Sequence, residues 1–494
     1  MTTATSHVEL RPGAYADSVA LLQVSRTLQQ LPGVATAQVA MGTPLNVDVL
    51  AQMGFDVPAG ATPNDMVVAV RLTDDAGPDA LAKAHAAMEN ALATRTESAS
   101  EEQAPPRTTA TALRQAPDNA LVLVSVPGAN ALVEAMDAVE AGRDVMIFSD
   151  NMRLDHELAL KRAAAERGVL VMGPDCGTSV LGGIGLGFAN TTEPGPVALV
   201  AASGTGAQQL LCLLDHAGVG VTHALGVGGR DLSAQVRGLS TRAALARLDA
   251  DDSVELIVLV SKPPADDVAD EIREYAAGLG TQVEFAFLGA GRPDLTAACE
   301  SALGALGRPV PQWPVREPAT VRASTGGHLR GLFVGGTLCD EAMLIATAEL
   351  GPIRSNIPLS AGLELELGAG LTAVGHTMID FGDDELTAGR AHPMIDPTLR
   401  LEHLARTAAD PTTCVLLLDV VLGHAAEPDP AALLAPAIAA VSQPVVVSVV
   451  GTAADPQGLE RQVAALAEAG AQVHLSNAAA TRAAVALTLA GGPR

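Results

Sequence analysis

Two glycine-rich turns carry the most telling chemistry in this chain. The apolar run Val197–Ala202 ends in Ser203-Gly204-Thr205-Gly206, and a helix-like stretch follows as far as His216. Later, Gly331–Val334 runs into Gly335-Gly336-Thr337-Leu338 and a second helix-like stretch. A strand that stops on small residues and opens a helix aims several free backbone N–H groups at one spot. The helix dipole adds positive potential there, so such a turn suits a phosphate or another small anion. Neither turn reads G-x-x-x-x-G-K-[ST] or G-x-G-x-x-G, so neither alone is a nucleotide signature. Two turns of one kind predict a single site shared between two domains.

Four further segments hold candidate side chains. Met172–Thr178, MGPDCGT, follows a buried apolar run. Gly173, Pro174 and Gly177 fix a tight turn that presents Asp175, the Cys176 backbone and Thr178 at a sheet edge. A substrate-binding turn and a plain strand exit capped by Asp175 explain it equally well. Cys176 has only Arg167 as a basic neighbour within ten positions, so a buried thiol is the simpler reading than a nucleophile. Gly226–Ser233, GVGGRDLS, sets Arg230 after Gly228 and Gly229. Its guanidinium can fork onto a phosphate or carboxylate, or pair with Asp231 or Asp249.

Lys262, in LVSKPP, is held extended by the prolines that follow, either toward an anion or toward solvent. Asp380–Arg400 gathers Asp383, Asp384, Arg390, His392 and Asp396. His392 suits acid–base chemistry or a hydrogen bond to substrate. The alternative is a solvated loop with turn-capping aspartates. No spacing there is diagnostic of a metal, and the site is expected to hold none.

The elements that must position these residues alternate between strand and helix, which predicts a multi-domain α/β protein. Residues 1–95 read as a small α/β unit, with strands at 8–11, 35–41 and 66–72 and helices at 16–30 and 79–93. A polar, proline-bearing linker covers 96–107. Residues 108–193 read as a Rossmann-like domain. Residues 195–307 and 328–494 read as two doubly wound domains of one architecture, joined by a second proline-rich linker. Residues 361–400 interrupt the last domain without clear periodicity, as functional or disordered loops do.

Composition narrows the class. Of 494 residues, 56 are acidic and 30 basic, a net charge of −26. That balance argues against nucleic acid or an anionic membrane as partner. The five cysteines show no C-x-x-C spacing, which disfavours a disulfide framework or zinc site and favours a reducing compartment. No leader-like start and no apolar run near the roughly 20 residues of a membrane span are present, so a cytoplasmic protein is expected.

Taken together, MGTP (Met41–Pro44), ATPND (Ala61–Asp65), MGPDCGTS, ASGTG, GVGGRDLS, VSKPP, GGTL and GRAHPMIDPTLR (Gly389–Arg400) resemble the FdrA family. That family is itself similar to the two subunits of succinyl-CoA synthetase joined in one chain. The resemblance implies a CoA-binding-like Rossmann domain followed by two flavodoxin-like ligase domains, with chemistry on an acyl phosphate. It also implies a binding role for the turns at Gly173–Thr178, Ser203–Gly206, Gly228–Asp231 and Gly335–Thr337, with Gln209 and Lys262 beside them. Succinyl-CoA synthetases carry a phosphorylated histidine, yet the corresponding stretch Phe287–Asp294 holds none. The carboxylate that steadies that histidine is replaced by Gln209, and Met1–Arg95 is too short for a nucleotide-grasping domain.

FdrA-like proteins are associated with allantoin and purine catabolism, as a component of oxamate carbamoyltransferase with other subunits. The reaction converts oxalurate and phosphate to oxamate and carbamoyl phosphate. The resemblance thus implies phosphate or carbamoyl phosphate as ligand, a small anionic substrate, and a hetero-oligomer or homodimer. Arg230, His392 and Asp175 would be the catalytic residues, and Arg230 would steady developing charge. Two other readings remain: an NDP-forming acyl-CoA synthetase subunit, with CoA facing the Cys176 turn, and a non-catalytic anion-binding scaffold. Gly206→Val is expected to close the first turn to anions while leaving the fold largely intact.

Overall fold

The computed structural model describes residues 6–492 except 15, 17, 74, 94–105, 366–369, 372–373 and 388–389. The linker expected at 96–107 therefore lies almost wholly outside the described residues. The chain divides into two units, Met1–Arg114 and Gln115–Arg494.

The first unit runs β1 (Ser6–Pro12), α1 (Ser18–Gln29), β2 (Val34–Met41), α2 (Pro44–Gln52), β3 (Asp65–Leu72), α3 (Ala80–Ala93) and α4 (Thr109–Leu113). β3 lies between β1 and β2 and is antiparallel to both, a split β-α-β arrangement. Alternate residues of β3 serve two cores. Met66, Val68 and Val70 pack with Leu21, Leu28 and Met88, while Val67 and Ala69 pack with Leu50 and Phe55 on the other face. α2 is absent from the sequence reading. Its start is the MGTP motif itself: the Thr43 side chain accepts from Asn46 N–H at 3.3 Å, and Pro44 takes the first turn.

The second unit opens with β4 (Val122–Val124), α5 (Gly128–Glu140), β5 (Val145–Ile147), α6 (Leu154–Arg167) and β6 (Val171–Met172), a three-stranded parallel sheet. The hairpin β7 (Thr178–Leu181) and β8 (Ile184–Gly187) then leaves that layer. It joins the next sheet, β7 pairing antiparallel with β10 (Val221–Gly226). Two strands of the stretch expected as 108–193 thus pair in the sheet of the following domain, and MGPDCGT is the crossover from one sheet to the other.

That next sheet contains β9 (Val197–Ala202), β10, β11 (Leu256–Ser261) and β12 (Gln282–Phe287), with α7 (Gly204–His216), α8 (Leu239–Asp249), α9 (Asp266–Ala276) and α10 (Leu295–Ala305). Its order is β12-β11-β9-β10-β7-β8. After the short β13 (Val315–Arg316) come β14 (His328–Phe333), α11 (Gly336–Leu350), β15 (Ile353–Arg354), β16 (His376–Asp380), α12 (Asp384–Thr387) and α13 (Thr398–Ala409). The chain ends with β17 (Thr413–Val421), α14 (Pro430–Ala440), β18 (Val445–Val450), α15 (Leu459–Glu468), β19 (Ala471–His474) and α16 (Asn477–Ala490). The last sheet is ordered β13-β19-β18-β17-β14-β16-β15.

In both large sheets the first strand lies between the second and third, the flavodoxin-like doubly wound order. The 361–400 interruption is thus no mere loop, for it supplies β16, the second strand of that order. Both sheets read as unbroken apolar runs, as parallel strands covered on two faces must. Between them lies one core shared by Leu210, Leu213 and Leu214 of α7 and Leu338, Ala342 and Met343 of α11. α7 is buried from Gly206 through Leu214, so it has no solvent face and its direction is fixed.

A buried ionic cluster ties the Rossmann-like layer to the first doubly wound domain. Lys161 Nζ on α6 donates to Glu157 Oε1 (2.8 Å), Asp231 Oδ1 (2.7 Å) and the Val227 carbonyl (2.9 Å). Lys161→Met would leave Asp231 buried without its cation and Glu157 with Arg230 alone. Removing one partner of a buried pair costs about 3–5 kcal/mol, so the urea midpoint of Lys161→Met should fall well below that of the wild type. An unchanged midpoint would show that the cluster contributes nothing to stability.

Candidate functional site

The two glycine-rich turns meet. α7 and α11 start at the carboxyl ends of β9 and β14, where doubly wound sheets bind ligands. Their N-termini converge until Ser203 Oγ and Thr337 Oγ1 are hydrogen-bonded at 2.6 Å, both buried. Ser203 Oγ also accepts from Gly206 N–H at 3.0 Å as the cap of α7. On the other side of the junction, a Cβ added to Gly335 would lie 2.8 Å from Thr205 Cγ2. The first-turn N–H groups of both helices therefore face one region, with two positive dipole ends beside it.

Charged side chains line that region. Lys262, at the end of β11, places Nζ 3.2 Å from where a Cβ on Gly336 would sit, and Asp380 Oδ2 lies 2.6 Å from the same point. No hydrogen bond or ion pair holds Lys262 Nζ among the described residues. Burial works against its ammonium, but Asp340, Asp380, Asp175 and Asp383 outweigh it and the net push is upward. Burial pushes the Asp380 carboxyl up to about 7 and that of Asp340 up to about 6, with Lys262 pulling both down.

Asp175 sits in the left-handed region at φ 56°, an outlier of the kind that collects at functional sites. It is reachable by solvent yet crowded by protein. Burial lifts its carboxyl to about 7, opposed by Lys262 and Arg230 and assisted by Asp384 and Asp150. Asp383 and Asp384, from the polar stretch singled out in the sequence, act on Lys262 and Asp175 through their charge. Gly204, with Thr178 Oγ1 3.7 Å from its added Cβ, and Gly229, with Asp175 Oδ2 at 3.7 Å, border it without obstruction.

Several expected ligand contacts do other work. Asp231 is fully buried: beyond Lys161, it accepts from Ser240 N–H, Thr241 N–H and Thr241 Oγ1, and so caps α8. Gln209 is also buried; it donates to the Leu475 carbonyl at 3.1 Å and accepts from Asn477 N–H at 3.0 Å, clamping α7 to the start of α16. Cys176 is buried against Ser179 Oγ, and burial pushes its thiol up to about 11, which excludes a resting thiolate. Gly173, Pro174 and Gly228 form a turn-on-turn contact: a Cβ on Gly228 would lie 2.5 Å from the Pro174 carbonyl oxygen. Gly177 packs toward the Phe188 ring, 3.6 Å from its added Cβ.

Arg230 is half-exposed and already bonded to Glu157 Oε2 (3.0 Å) and the Met152 carbonyl (2.7 Å), so it reaches the cleft as a charge beside Asp175 rather than as a free fork. His392 stacks 5.6 Å from Phe188, and its Nδ1 accepts from Met394 N–H at 3.2 Å. Burial lowers it to about 4, so it is a neutral imidazole at neutral pH. With Nδ1 accepting, the ring proton lies on Nε2, which makes His392 a donor rather than a base. Its Nε2 lies 2.7 Å from a Cβ built on Gly382, a point 3.2 Å from Asp380 Oδ1.

The residue most plainly missed in the sequence is Asp419. Buried at the end of β17, it accepts from Val334 N–H (2.8 Å) and Gly335 N–H (2.9 Å) and pairs with Arg400 at 2.9 Å. It pins the entry to the second turn. The only local signal was an acid closing the apolar run Val415–Asp419.

The Gly206→Val expectation fails on geometry. A Cβ there overlaps Ser203 Oγ and comes within 3.1 Å of Thr337 Cγ2 and Val260 Cγ2, so the substitution strikes the buried junction. Gly336 is the glycine whose Cβ would enter the cleft.

Comparison with known proteins follows this division of the chain. A family model described as "AllF, heavy metal-associated domain" matches residues 1–108, and one described as "CoA-ligase" matches residues 332–487. The chain is 36% identical over 493 residues to the uncharacterized protein YahF of Escherichia coli strain K12, covering 94% of this chain and 95% of that one. Solved structures matched in part include a "dinucleotide forming" acetyl-coenzyme A synthetase 1 from Ca. Korarchaeum cryptofilum in complex with phosphate and ADP. That match has 17% identity, covers 80% of this chain and 87% of that one, and has a TM-score of 0.31. Another is ATP citrate lyase from Methanothrix soehngenii in complex with citrate and coenzyme A, at 14% identity, 39% and 36% coverage and a TM-score of 0.30.

The name of the first family model raises the question of a metal. All five cysteines lie beyond residue 108. Among the described residues no group of three or more His, Cys, Asp or Glu side chains is placed to hold an ion. The residues of the N-terminal unit do not fit a soft metal. No helix among the described residues is long and apolar enough to cross a membrane.

Two measurements test the cleft. Lys262→Gln should weaken binding of inorganic phosphate with little change in thermal midpoint, because no hydrogen bond or ion pair among the described residues is lost with the ammonium, whereas Gly206→Ala should lower the midpoint. The reverse pattern would move the site elsewhere. Asp340, Asp175 and Asp380 are neutral at low pH and ionise as pH rises through about 6 to about 7. Sulfate, which does not titrate there, should therefore bind more tightly at pH 5.5 than at pH 8. These carboxyls hold extra protons in the folded chain between their ordinary value, 3.8, and their raised values, so their contribution to stability should decline as pH rises from there to about 7. Sulfate affinity independent of pH would remove them from the site.

Proposed function

Because the chain belongs to the same family as YahF of Escherichia coli, with an AllF-type N-terminal domain ahead of a CoA-ligase domain, we propose that it is an enzyme subunit of acyl-CoA synthetase type, handling a mixed anhydride of a carboxylic acid and phosphate at the junction of α7 and α11. The observation that carries this reading is Lys262 Nζ, without a hydrogen-bond or ion-pair partner among the described residues, beside two convergent helix N-termini, one of them inside the CoA-ligase match. Fixed N–H donors and a lysine stabilise phosphoryl oxygens as charge moves between a phosphate and its acyl partner. His392, through Nε2–H, is suited to donate to a carbonyl oxygen of the acyl group.

A second reading, an FdrA-like component of an oxamate carbamoyltransferase in purine catabolism, has its own observation. The loop Phe287–Asp294, where succinyl-CoA synthetases place their phosphohistidine, has no histidine. It borders instead a cavity of about 160 Å³, where Arg292 pairs with Asp266 at 2.9 Å and Arg482 with Asp294 at 2.5 Å. Carbamoyl phosphate is the same kind of anhydride and needs no phosphohistidine. On either reading the partner is a small anionic substrate, within a complex that supplies other subunits.

The test uses the chain purified with whatever subunits accompany it. Phosphate-dependent release of free CoA from an acyl-CoA would support the first reading. Phosphate-dependent release of oxamate from oxalurate, indifferent to CoA, would support the second. Neither activity with partners present would overturn both and leave an anion-binding scaffold.

A further inference from the structure

A site that holds an activated acyl group beside a lysine exposes itself to modification. Lys262 is the case in point, and the inference rests on the reading above that a mixed anhydride occupies the paired turns. Its Nζ has no hydrogen-bond or ion-pair partner among the described residues and lies 3.2 Å from the Cβ position of Gly336, the first residue of α11. An anion at those N–H groups is therefore within reach of the amine.

The hazard is ordinary acyl transfer. The amine lone pair attacks the carbonyl carbon and the carbon–oxygen bond to phosphate breaks. Inorganic phosphate leaves with the bonding pair, and the nitrogen loses one proton to form an amide. The product has lost the cation that binds the anion, so the reaction is self-inactivating. It requires the neutral amine. Burial and two positive helix ends both favour that neutral form.

We propose that Asp340 of α11 and Asp380 of β16 keep Lys262 in its ammonium form and thereby protect it from acylation by the anhydride the site binds. Asp380 Oδ2 lies 2.6 Å from the same Gly336 Cβ position as Nζ, and Asp340 is one helical turn further along α11. Asp175 from the turn after β6 and Asp383 beyond β16 add to their field, and Asp384, Arg230 and the Cys339 thiol complete the titratable or charged groups around it. The net effect on the ammonium is upward, in the protective direction. This accounts for a feature that anion binding alone does not: carboxylates packed around an anion's lysine weaken anion binding, yet they shield the amine.

The experiment is simplified by a chain with only three lysines, Lys83, Lys161 and Lys262. Lys161 is buried on three acceptors, and Lys83 is exposed on α3 and gauges the reagent. Wild type, Asp380→Asn and Asp340→Asn, each with its accompanying subunits, are incubated with saturating acetyl phosphate, so that tighter binding alone cannot raise the rate. Acetylation is then read at each lysine by mass spectrometry, and acetyl phosphate binding by calorimetry. The ratio of Lys262 to Lys83 acetylation should rise about tenfold or more in the variants, as a one-unit fall in the ammonium's pKa would give. Asp340→Asn serves if Asp380→Asn, which alters the acceptor of Gly382 N–H, does not fold. An unchanged ratio in variants that still bind acetyl phosphate would overturn the proposal and leave the anhydride reading standing. Failure of the wild type to bind acetyl phosphate would remove that reading, and the proposal with it.

Discussion

Two helix N-termini brought head to head are the constraint on which the site depends. Each carries about half a positive charge, and the hydrogen bond between Ser203 and Thr337 holds them in contact with no solvent between. Such a junction repels itself unless negative charge is near. Within the folded chain that charge comes from Asp340, Asp380, Asp175 and their neighbours. A bound anion meets the same need, so carboxylates and ligand compete for one field. Burial raises these carboxyls to about 6 to 7, so the negative charge they lend the junction falls away, and the competition with a bound anion eases, as pH drops through that range.

The junction survives because the rest of the second unit leaves α7 and α11 nowhere to go. α7 is buried from Gly206 through Leu214, and polar groups lock the remaining freedom. Gln209 spans to Leu475 and Asn477, while Asn477 donates to Glu341 Oε2 at 2.7 Å and Glu341 Oε1 accepts from Leu295 N–H at 2.7 Å. That chain links α7, α11, α10 and α16 behind the site. Burial pushes Glu341 up to about 7, yet both its oxygens remain satisfied. Asp419 does the same from the front by holding Val334 and Gly335.

What the sequence made legible was periodic or punctuated. Continuous apolar runs gave the parallel strands, and the strand–glycine–helix pattern gave both turns and their pairing. What it hid was set by partners distant in sequence. β16 went unseen because five residues, His376–Asp380, are too few to show a period inside a polar stretch. α2 went unseen because its start, Thr43-Pro44, also reads as a turn. Asp231 and Gln209 looked like ligand contacts because polar residues after glycines usually face solvent. Only the fold shows that Lys161 and Asn477, 70 and 268 positions away in sequence, had already claimed them.

The glycines make the same point more sharply, since a motif is silent about why its glycine is there. Three reasons occur within these turns. At Gly173 and Gly228 one backbone lies against another, and φ values of 95° and 91° exclude most side chains. At Gly206 and Gly335 the missing Cβ makes room for Ser203, Thr205 and Thr337, which join the two helices. Only at Gly336 would the missing atom occupy the space between Lys262 and Asp380. Of the glycines that made the motifs recognisable, most therefore build the frame. The one that faces the charged side chains of the cleft is marked by a lysine with no hydrogen-bond or ion-pair partner among the described residues and by the Asp380 carboxyl, raised to about 7 by burial.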